Sequence, residues 1–465
     1  MSTQKSRTQD MSKRYTRRRG KKLPKHLDVL NPDAAGIDLG STGHFVSVPE
    51  DRDDEPIRQF GCYTAQLNAM ADWLVECGIT TVAMESTGVY WMPVFRVLES
   101  RGLHPVLVNP RHVKYVPGRK TDVADCQWLR QLHTYGLLQG AFVPPQDVAV
   151  MRTLWRQRRS LVESCSRETL HMQKALTQMN LHLHVVLSDI TGVSGMKILR
   201  AILAGQRDPL ALARLAHPQV KSSRDEIAQA LTGHYSDDLV FVLRQAIEAF
   251  DFFQSQLQRC DQQLAAYLER FHTKADPTGL PPTSQYRRKN QPHFDLRAEM
   301  YRITGVDLTR IDGIDASTAF SILSEIGFDV QAFPTEGQFV SWLGLCPNNT
   351  ITGCRVKRTR TKQTANRCAD ALRVAAQSLW RSKSYLGAIH RRFRARLGPP
   401  EAITATAHKL ARIVYRMLKF GEAYVDKGER HLEIQHRERD LKSLVKRAKQ
   451  LGLLLLDPET GECLA

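Results

Sequence analysis

Short apolar runs of two kinds alternate over residues 33–145 of the chain. Four runs are typical of strands: AGIDLG, GHFVSVPE, TTVAMES and HPVLVNP. The first two predict a hairpin around a glycine turn. Runs with helical spacing are LNAMADWLVECG, which we expect to end at Gly78, and VYWMPVFRVLESRG. This alternation predicts an α/β domain with a mixed or parallel sheet.

Two later stretches have the pattern of long helices. Residues 148–186 contain no glycine or proline, and residues 238–271 have similar apolar spacing. They predict an antiparallel helix pair or an oligomerising coiled coil. Residues 273–300 are rich in proline and polar residues, which favours a linker or mobile loop.

The patterns divide the chain into six expected segments. A charged helix that projects from the body is expected at the end. The segments are a basic disordered arm (1–32), the α/β domain (33–147), a long-helix coiled-coil insertion (148–272), the linker (273–300), a mostly α-helical C-terminal domain (301–425) and a charged helical tail (426–465).

Composition narrows the class of protein. The chain has 465 residues, and its 42% hydrophobic content is enough to bury cores, so it is not a disordered protein. A net charge of +18 favours a nucleic-acid partner. In the arm, Arg17, Arg18 and Arg19 either order on phosphate backbone or belong to a solubilising tail.

The cysteines and the apolar runs indicate the compartment. The nine cysteines are scattered without CxxC spacing, so we expect neither a zinc site nor a disulfide framework, and a reducing cytoplasm fits better. The chain has no run of 18 apolar residues, so we expect no membrane partner.

Four carboxylates suggest one metal site. Asp38 lies in a predicted strand, Glu85 ends another, and Asp122 and Asp125 are spaced to share a helix face. Oxygen ligands suit magnesium, and metal ions can clamp the attacking and leaving oxygens of a phosphoryl transfer. The order of the acids resembles that of the RNase H-like fold, in particular the RuvC-like nucleases. A helix cap is the alternative for Asp122.

A second constellation combines hydroxyls with cations. WLGLCP is expected to end a helical segment in a proline turn, and NNTITG then offers hydroxyls beside a glycine turn. Such hydroxyls next to clustered cations suit a nucleophile beside phosphate, although a loop that only positions backbone phosphate is the simpler interpretation. The cations are Arg355, Lys357, Arg358, Arg360, Lys362 and Arg367.

Two further features carry less information. Residues 308–327 resemble a helix–hairpin–helix whose turn amides hold a DNA phosphate, with a plain helical turn as the alternative. Trp342, Trp380 and Tyr385 are expected in the core rather than as base-stacking platforms.

The chain resembles the DEDD/serine transposases of the insertion-sequence one-ten family, the bridge-RNA-guided recombinases. The resemblance spans residues 33–425. It rests on the blocks GIDLG, MESTGVYW and KTDVADC, followed by GLCPNNTITG with its basic tail. Residues 384–418 also resemble the C-terminal helices of the family.

The resemblance implies a RuvC-like N-terminal domain whose acidic tetrad, here Asp38, Glu85, Asp122 and Asp125, binds magnesium. It implies a coiled-coil insertion through which dimers assemble into a tetramer, and a C-terminal transposase domain whose serine forms a covalent intermediate with DNA. The two domains would form one composite site. A structured guide RNA would pair with donor and target double-stranded DNA. The setting implied is a bacterial cytoplasm, in association with the nucleoid.

One position departs from the family pattern. The serine of the family directly precedes the glycine after the proline turn, where this chain has Thr352 before Gly353. Threonine can attack when a base or metal activates it, although its methyl group restricts χ1. Three options stay open: Thr352 is the nucleophile, which we favour; another hydroxyl such as Thr350 serves; or the chain is impaired in strand transfer.

Two rival functions fit the same residues. A RuvC-like, structure-specific DNA nuclease would cut with metal-activated water and would need no covalent step. A degenerate copy would bind RNA or DNA without catalysis. The rivals differ from a recombinase in forming no protein–DNA adduct.

Overall fold

The computed structural model describes residues 28–86, 88–109, 122–281, 289–353, 355–362, 364–421, 423–424, 428–456 and 463. The described residues fall into two compact units, which meet in the sequence between Val143 and Pro144. The predicted arm, including Arg17, Arg18 and Arg19, lies outside the described residues apart from its last few positions.

The first unit is built on a five-stranded mixed sheet in the order β3-β2-β1-β4-β5. Neighbours β1, β2 and β3 are antiparallel, whereas β1, β4 and β5 are parallel. The α/β prediction and its first hairpin are therefore confirmed. The strands are β1 (Ala34–Leu39), β2 (Gly43–Ser47), β3 (Ile57–Gly61), β4 (Thr81–Glu85) and β5 (His104–Val108).

Three described helices cover this sheet. They are α1 (Thr64–Glu76), α2 (Trp91–Ser100) and α3 (Asp122–Thr134). One face of β1 contributes Ile37 and Leu39 to a buried core with Met70 and Leu74 of α1 and Leu98 of α2. The chain leaves α1 through a glycine, Gly78, with φ +68°, as the sequence predicts.

On the opposite face of the sheet, small residues allow α3 to pack closely against the strands. Gly36 of β1 has so little room that a Cβ atom there would lie 2.3 Å from the carbonyl oxygen of Cys126 and 2.4 Å from the amide nitrogen of Arg130. Ala83, its neighbour on β4, is also small and fully buried. The backbone of α3 therefore lies directly against the central strands.

In the second unit, two long helices form an antiparallel pair. They are α4 (Gln146–Gln178) and α9 (Asp237–Leu268). Their direction follows from contacts at both ends: the Tyr267 hydroxyl donates to Asp147 (3.2 Å), and the Gln254 amide lies 3.6 Å from Cys165. Of the two predicted arrangements, this chain therefore contains the antiparallel pair.

The first long helix is shorter than predicted. It ends at Gln178, and Asn180 follows with φ +56°. An asparagine adopts this left-handed conformation more easily than most residues, so it can end a helix without glycine or proline. Four short helices with a shared core then join the long pair: α5 (Leu183–Val186), α6 (Val193–Leu203), α7 (Pro209–Ala213) and α8 (Arg224–Ala230).

A buried ion pair fixes the register of the long pair. Arg158 of α4 donates to Asp261 of α9 (2.5 Å), and both are almost fully buried. The same carboxylate accepts from the backbone and ring nitrogens of His293 (3.0 and 2.8 Å), and Arg158 also donates to the carbonyl of Asn290. The predicted linker is thus attached to the helix pair in this part, and its last residues already belong to a helix.

The rest of the second unit is mostly helical, as predicted, but it contains a β-hairpin that the sequence analysis missed. The charged tail helix does not project freely, because it packs against the helix that starts at Tyr385. The elements are α10 (Leu296–Thr304), α11 (Ala316–Ile326), α12 (Glu336–Trp342), β6 (Pro347–Thr352), β7 (Arg355–Thr361), α13 (Arg367–Ser378), α14 (Tyr385–Leu397), α15 (Pro399–Phe420) and α16 (Gly428–Gln450).

Single 3-10 turns complete the second unit at Pro277–Gly279, Leu308–Arg310 and Leu379–Arg381. Over the described part of the chain, none of the helices combines the length and apolar character needed to cross a membrane.

Candidate carboxylate site and basic hairpin

Asp38 and Glu85 lie at the same edge of the first unit's sheet. The parallel register pairs Ile37 of β1 with Met84 of β4, so Asp38 and Glu85 are the next residues along the two strands. Side chains alternate between the faces of a strand, so both acids share the face of Gly36 and Ala83. That is the face covered by α3.

Helix α3 begins at this edge. Its later residues contact the opposite ends of the strands: Arg130 donates to the Ser47 hydroxyl (3.1 Å), and His133 Nε2 lies 2.8 Å from the hydroxyl of Thr81, the first residue of β4. The helix therefore runs antiparallel to β1 and β4. Its first turn, with Asp122 and Asp125, points to the strand ends that carry the other acids.

The buried histidines of this unit make its stability depend on pH. Burial lowers the pKa of His133 and of His44. In the unfolded chain they bind a proton below about pH 6.5, whereas in the folded unit they stay neutral to lower pH. The unfolded state therefore binds more protons in acid, so the stabilisation is complete above about pH 6.5 and declines as the pH falls.

We expect His133→Gln to reduce the acid sensitivity of the first unit. The difference in unfolding free energy between about pH 7.5 and about pH 5.5 should become smaller, because one of its two sources is removed. Urea unfolding at both pH values measures it. The matched control is His171→Gln, which changes an exposed histidine of α4; an equal effect of both variants would contradict the assignment.

A buried thiol is influenced by two of the acids. Burial, together with the charges of Asp38 and Asp125, raises the pKa of Cys126 to about 12. These two carboxylates, one from the sheet and one from α3, thus approach the same side chain. Asp122 is exposed, whereas Asp38, Glu85 and Asp125 are half-buried. The edge therefore presents carboxylate oxygens both to solvent and to the protein interior.

The carboxylate oxygens at this edge are suitable ligands for a hard cation, but the side chains do not form a complete set of metal ligands. Within the described ranges, no group of three or more histidine, cysteine, aspartate or glutamate side chains is arranged to hold a metal ion. The structure brings Asp38 beside Glu85 by register and Asp38 and Asp125 beside Cys126. Residue 121, where a cap of α3 would lie, and the eleven positions before it are outside the described residues.

The predicted nucleophile lies on the missed hairpin of the second unit. The chain turns after α12 at Gly344, with φ +69°, so Pro347 does not form the predicted turn and instead begins β6. The predicted glycine turn is confirmed at Gly353, which follows Thr352 with φ +56°. Every residue of β6 is exposed. The alternating threonine, isoleucine and valine residues around this glycine were the signal for a hairpin.

The register of the hairpin places hydroxyls opposite arginines. Thr352 pairs with Arg355, Thr350 with Arg358, and Asn348 with Arg360. A β-bulge lies between these pairs, with Lys357 as the extra residue of β7, because Ile351 pairs with Val356. Strand β6 alternates regularly, so the three pairs belong to one face of the ribbon.

The other face of the hairpin has no charged residue at its paired positions. Its paired positions include Asn349 with Thr359 and Ile351 with Val356. Ile351 and Val356 are 62% and 52% exposed. The bulge is the reason for this asymmetry, since a regular β7 would place Arg355 on the opposite face from Arg358 and Arg360.

The predicted phosphate-binding cations extend beyond this ribbon. Lys357, Arg360, Lys362 and Arg367 are exposed. Arg355 and Arg358 are described by their backbone register only.

Two other predictions are corrected or weakened. Trp380 is not a core residue, because 42% of it is exposed. At the predicted helix–hairpin–helix, the carboxylate of Asp315 caps α11 by accepting from the amide of Thr318 (2.8 Å). A carboxylate in this position repels phosphate, which favours the plain helical turn.

Comparison with protein families gives two matches. The family DEDD_Tnp_IS110, described as a transposase, matches residues 35–181, and the Transposase IS116/IS110/IS902 family matches residues 307–391. The first match includes all four candidate carboxylates, and the second includes the hairpin with Thr352. Among curated proteins, none matches the chain significantly. The chain belongs to the IS110 family of transposases and is an enzyme that transposes and recombines DNA.

Proposed function

We propose that this transposase cuts and joins element ends and target DNA with a magnesium-bound carboxylate site and a threonine nucleophile, guided by a structured RNA. The observation that carries the proposal is the strand edge shared by Asp38 and Glu85, toward which the first turn of α3 points. Acids on the first strand, the fourth strand and the following helix also support a RuvC-like fold for the first unit.

The proposed division of labour among the acids follows from their positions. Asp38 and Glu85 would hold the ion from the strand ends, and Asp122 and Asp125 would hold it from α3. Bound there, Mg²⁺ would neutralise phosphate charge and polarise the reacting phosphoryl group. The exposure of Asp122 supports access of a phosphate to this edge.

The proposed chemistry at the hairpin is a transesterification. The Thr352 hydroxyl attacks phosphorus, loses its proton, and forms a phosphothreonine ester while the deoxyribose oxygen leaves and takes up a proton. Attack by a strand hydroxyl on this ester rejoins DNA and releases the threonine. The cations of β7 and of the segment after it would stabilise the charge on the phosphoryl oxygens.

Partners of the transposase are part of the same proposal. The exposed basic ribbon supports binding of donor and target duplexes through their phosphates. The antiparallel α4–α9 pair exposes Leu170, Phe241 and Phe252, which supports assembly of dimers and then tetramers through this insertion. Guidance by a structured RNA rests on the family resemblance.

A structure-specific nuclease is the second candidate function. The methyl group of Thr352 restricts its χ1 rotamers and crowds attack by its hydroxyl. A metal-activated water would then replace the threonine, and no covalent adduct would form.

The proposal predicts a covalent protein–DNA adduct that depends on Thr352. Thr352→Ala should lose the adduct, whereas Thr352→Ser should retain it, because serine keeps the hydroxyl and lacks the crowding methyl group. The chain is co-expressed with the native sequence flanking its gene and given donor and target DNA. Denaturing gels then reveal the trapped products.

Two further variants make this experiment decisive. Thr359→Ala, on the uncharged face of the ribbon, is the matched control and should leave the adduct intact. An adduct that survives Thr352→Ala and disappears with Thr350→Ala would move the nucleophile to Thr350, which shares the arginine-paired face. Cleavage without any adduct would replace the recombinase with the nuclease.

A further inference from the structure

A second cationic surface is formed by the last turns of α14 and the 3-10 turn that precedes this helix. No aspartate or glutamate occurs between Asp370 and Glu401. The cations in this interval are Arg373, Arg381, Lys383, Arg391, Arg392, Arg394 and Arg396. We use the name aromatic shelf for the part of this surface formed by Trp380, Arg394, Phe393 and Arg396.

The aromatic shelf is centred on an exposed tryptophan. The guanidinium carbon of Arg394 lies 3.9 Å from the centre of the Trp380 ring, and that of Arg396 lies 5.9 Å from the centre of the Phe393 ring. Trp380 is 42% exposed, and Arg394 and Arg396 are also exposed. An exposed indole with a guanidinium on its ring offers a partner both a large apolar surface and a positive charge.

The backbone beneath the shelf is held in place. Arg391 donates to the carbonyl oxygens of Ser382 (2.5 Å) and Trp380 (3.4 Å), and this links α14 to the 3-10 turn that carries the tryptophan. Among the described residues, no carboxylate forms an ion pair with Arg394 or Arg396. A planar, positively charged and prearranged surface is therefore presented to solvent.

We propose that the aromatic shelf binds unpaired nucleotides of a single-stranded nucleic acid. A flat guanidinium on an indole offers a stacking platform for a base, and the neighbouring arginines offer charge to its phosphates. Bases of a duplex are stacked inside it and cannot reach such a platform, so the shelf selects strands whose bases are exposed. RNA and DNA share this chemistry, and the experiment separates them.

The proposal concerns binding alone and is independent of the chemistry at Thr352. The assay therefore uses the full chain without divalent metal, so that no strand transfer takes place. Fluorescence anisotropy measures the affinity for a labelled 12-nucleotide RNA, for the DNA of the same sequence and for the corresponding duplex, all at one salt concentration. The salt concentration is fixed because phosphate contacts depend on it.

Trp380→Ala should weaken binding of the single strands by about 5- to 150-fold, which is the usual contribution of one stacked base. Duplex binding should stay within about twofold, since the phosphate-binding cations are unchanged. Trp380→Phe should retain most of the affinity for single strands. Arg394→Lys keeps the positive charge but replaces the planar guanidinium with an ammonium group, so it should weaken single-strand binding only.

The matched control is Phe420→Ala, which removes an exposed aromatic residue at the end of α15 and should have no effect on either ligand. If Trp380→Ala weakens binding of the RNA strand alone, the natural ligand of the shelf is RNA. If it weakens binding of the RNA and DNA strands equally, the shelf binds single strands of both kinds. Unchanged single-strand affinity in Trp380→Ala, or equal losses on single strands and duplex, would overturn the proposal.

Discussion

Asp38→Asn should abolish strand transfer and leave the first unit folded. The amide has the size of the carboxylate but not its charge, so it is a poor ligand for a hard cation. We expect the rate to fall by more than about a hundredfold, because removal of even an outer-shell partner of a metal ligand costs roughly 10- to 100-fold. Product formation on donor and target DNA measures the rate.

The control for this prediction is Asp54→Asn, which removes the charge of an exposed aspartate in the same unit. It should recombine DNA at the normal rate. Thermal unfolding should be similar for both variants, since the amide has the size of the carboxylate that it replaces. Normal recombination by Asp38→Asn with unchanged dependence on magnesium would remove Asp38 from the site.

Gly36→Ala should displace α3 and with it half of the carboxylate site. The added methyl group would lie 2.3 Å and 2.4 Å from backbone atoms of α3, which cannot rotate away as a side chain can. Overpacking of this kind costs about 1–3 kcal/mol, and contact with two backbone atoms favours the upper end. Strand transfer should fall strongly because Asp122 and Asp125 move with the helix.

Thermal unfolding and amide hydrogen exchange test this prediction. The melting temperature of the first unit should fall by several degrees, and protection should be lost mainly in α3. Gly279→Ala is the control, because an added Cβ atom there has no neighbour within 4 Å. Equal stability of both variants, with normal exchange in α3, would show that the helix is not seated as tightly as the backbone contact indicates.

The sequence predicted the first unit well because its signals are local. Strands and helices there alternate in hydrophobic period, and Gly78 marks the end of α1 in the expected way. The convergence of Asp38 with Glu85 is not a local property, since it depends on the parallel register of β1 and β4. Before the sheet was known, it was indicated by the positions of the acids in the predicted strands and helix, and by their resemblance to the order found in the RNase H-like fold.

The hairpin and the aromatic shelf were harder to predict. In the hairpin, Ile351 and Val356 lie among polar threonines and arginines, so the apolar alternation is short and the strands were interpreted as a loop. A tryptophan is usually buried, and the exposure of Trp380 depends on how α14 packs, which the sequence does not contain.

The bulge in the hairpin makes chain length as important as residue type. Lys357 is the extra residue of β7, so its deletion would remove the bulge and leave Arg355 on the face of Arg358, whereas a regular strand that retained Lys357 would move Arg355 to the opposite face. A related chain that lacks one residue within 355–358 would therefore carry its arginines on the same faces without a bulge. Spacing between Thr352 and Arg358 is the more informative quantity to compare among relatives.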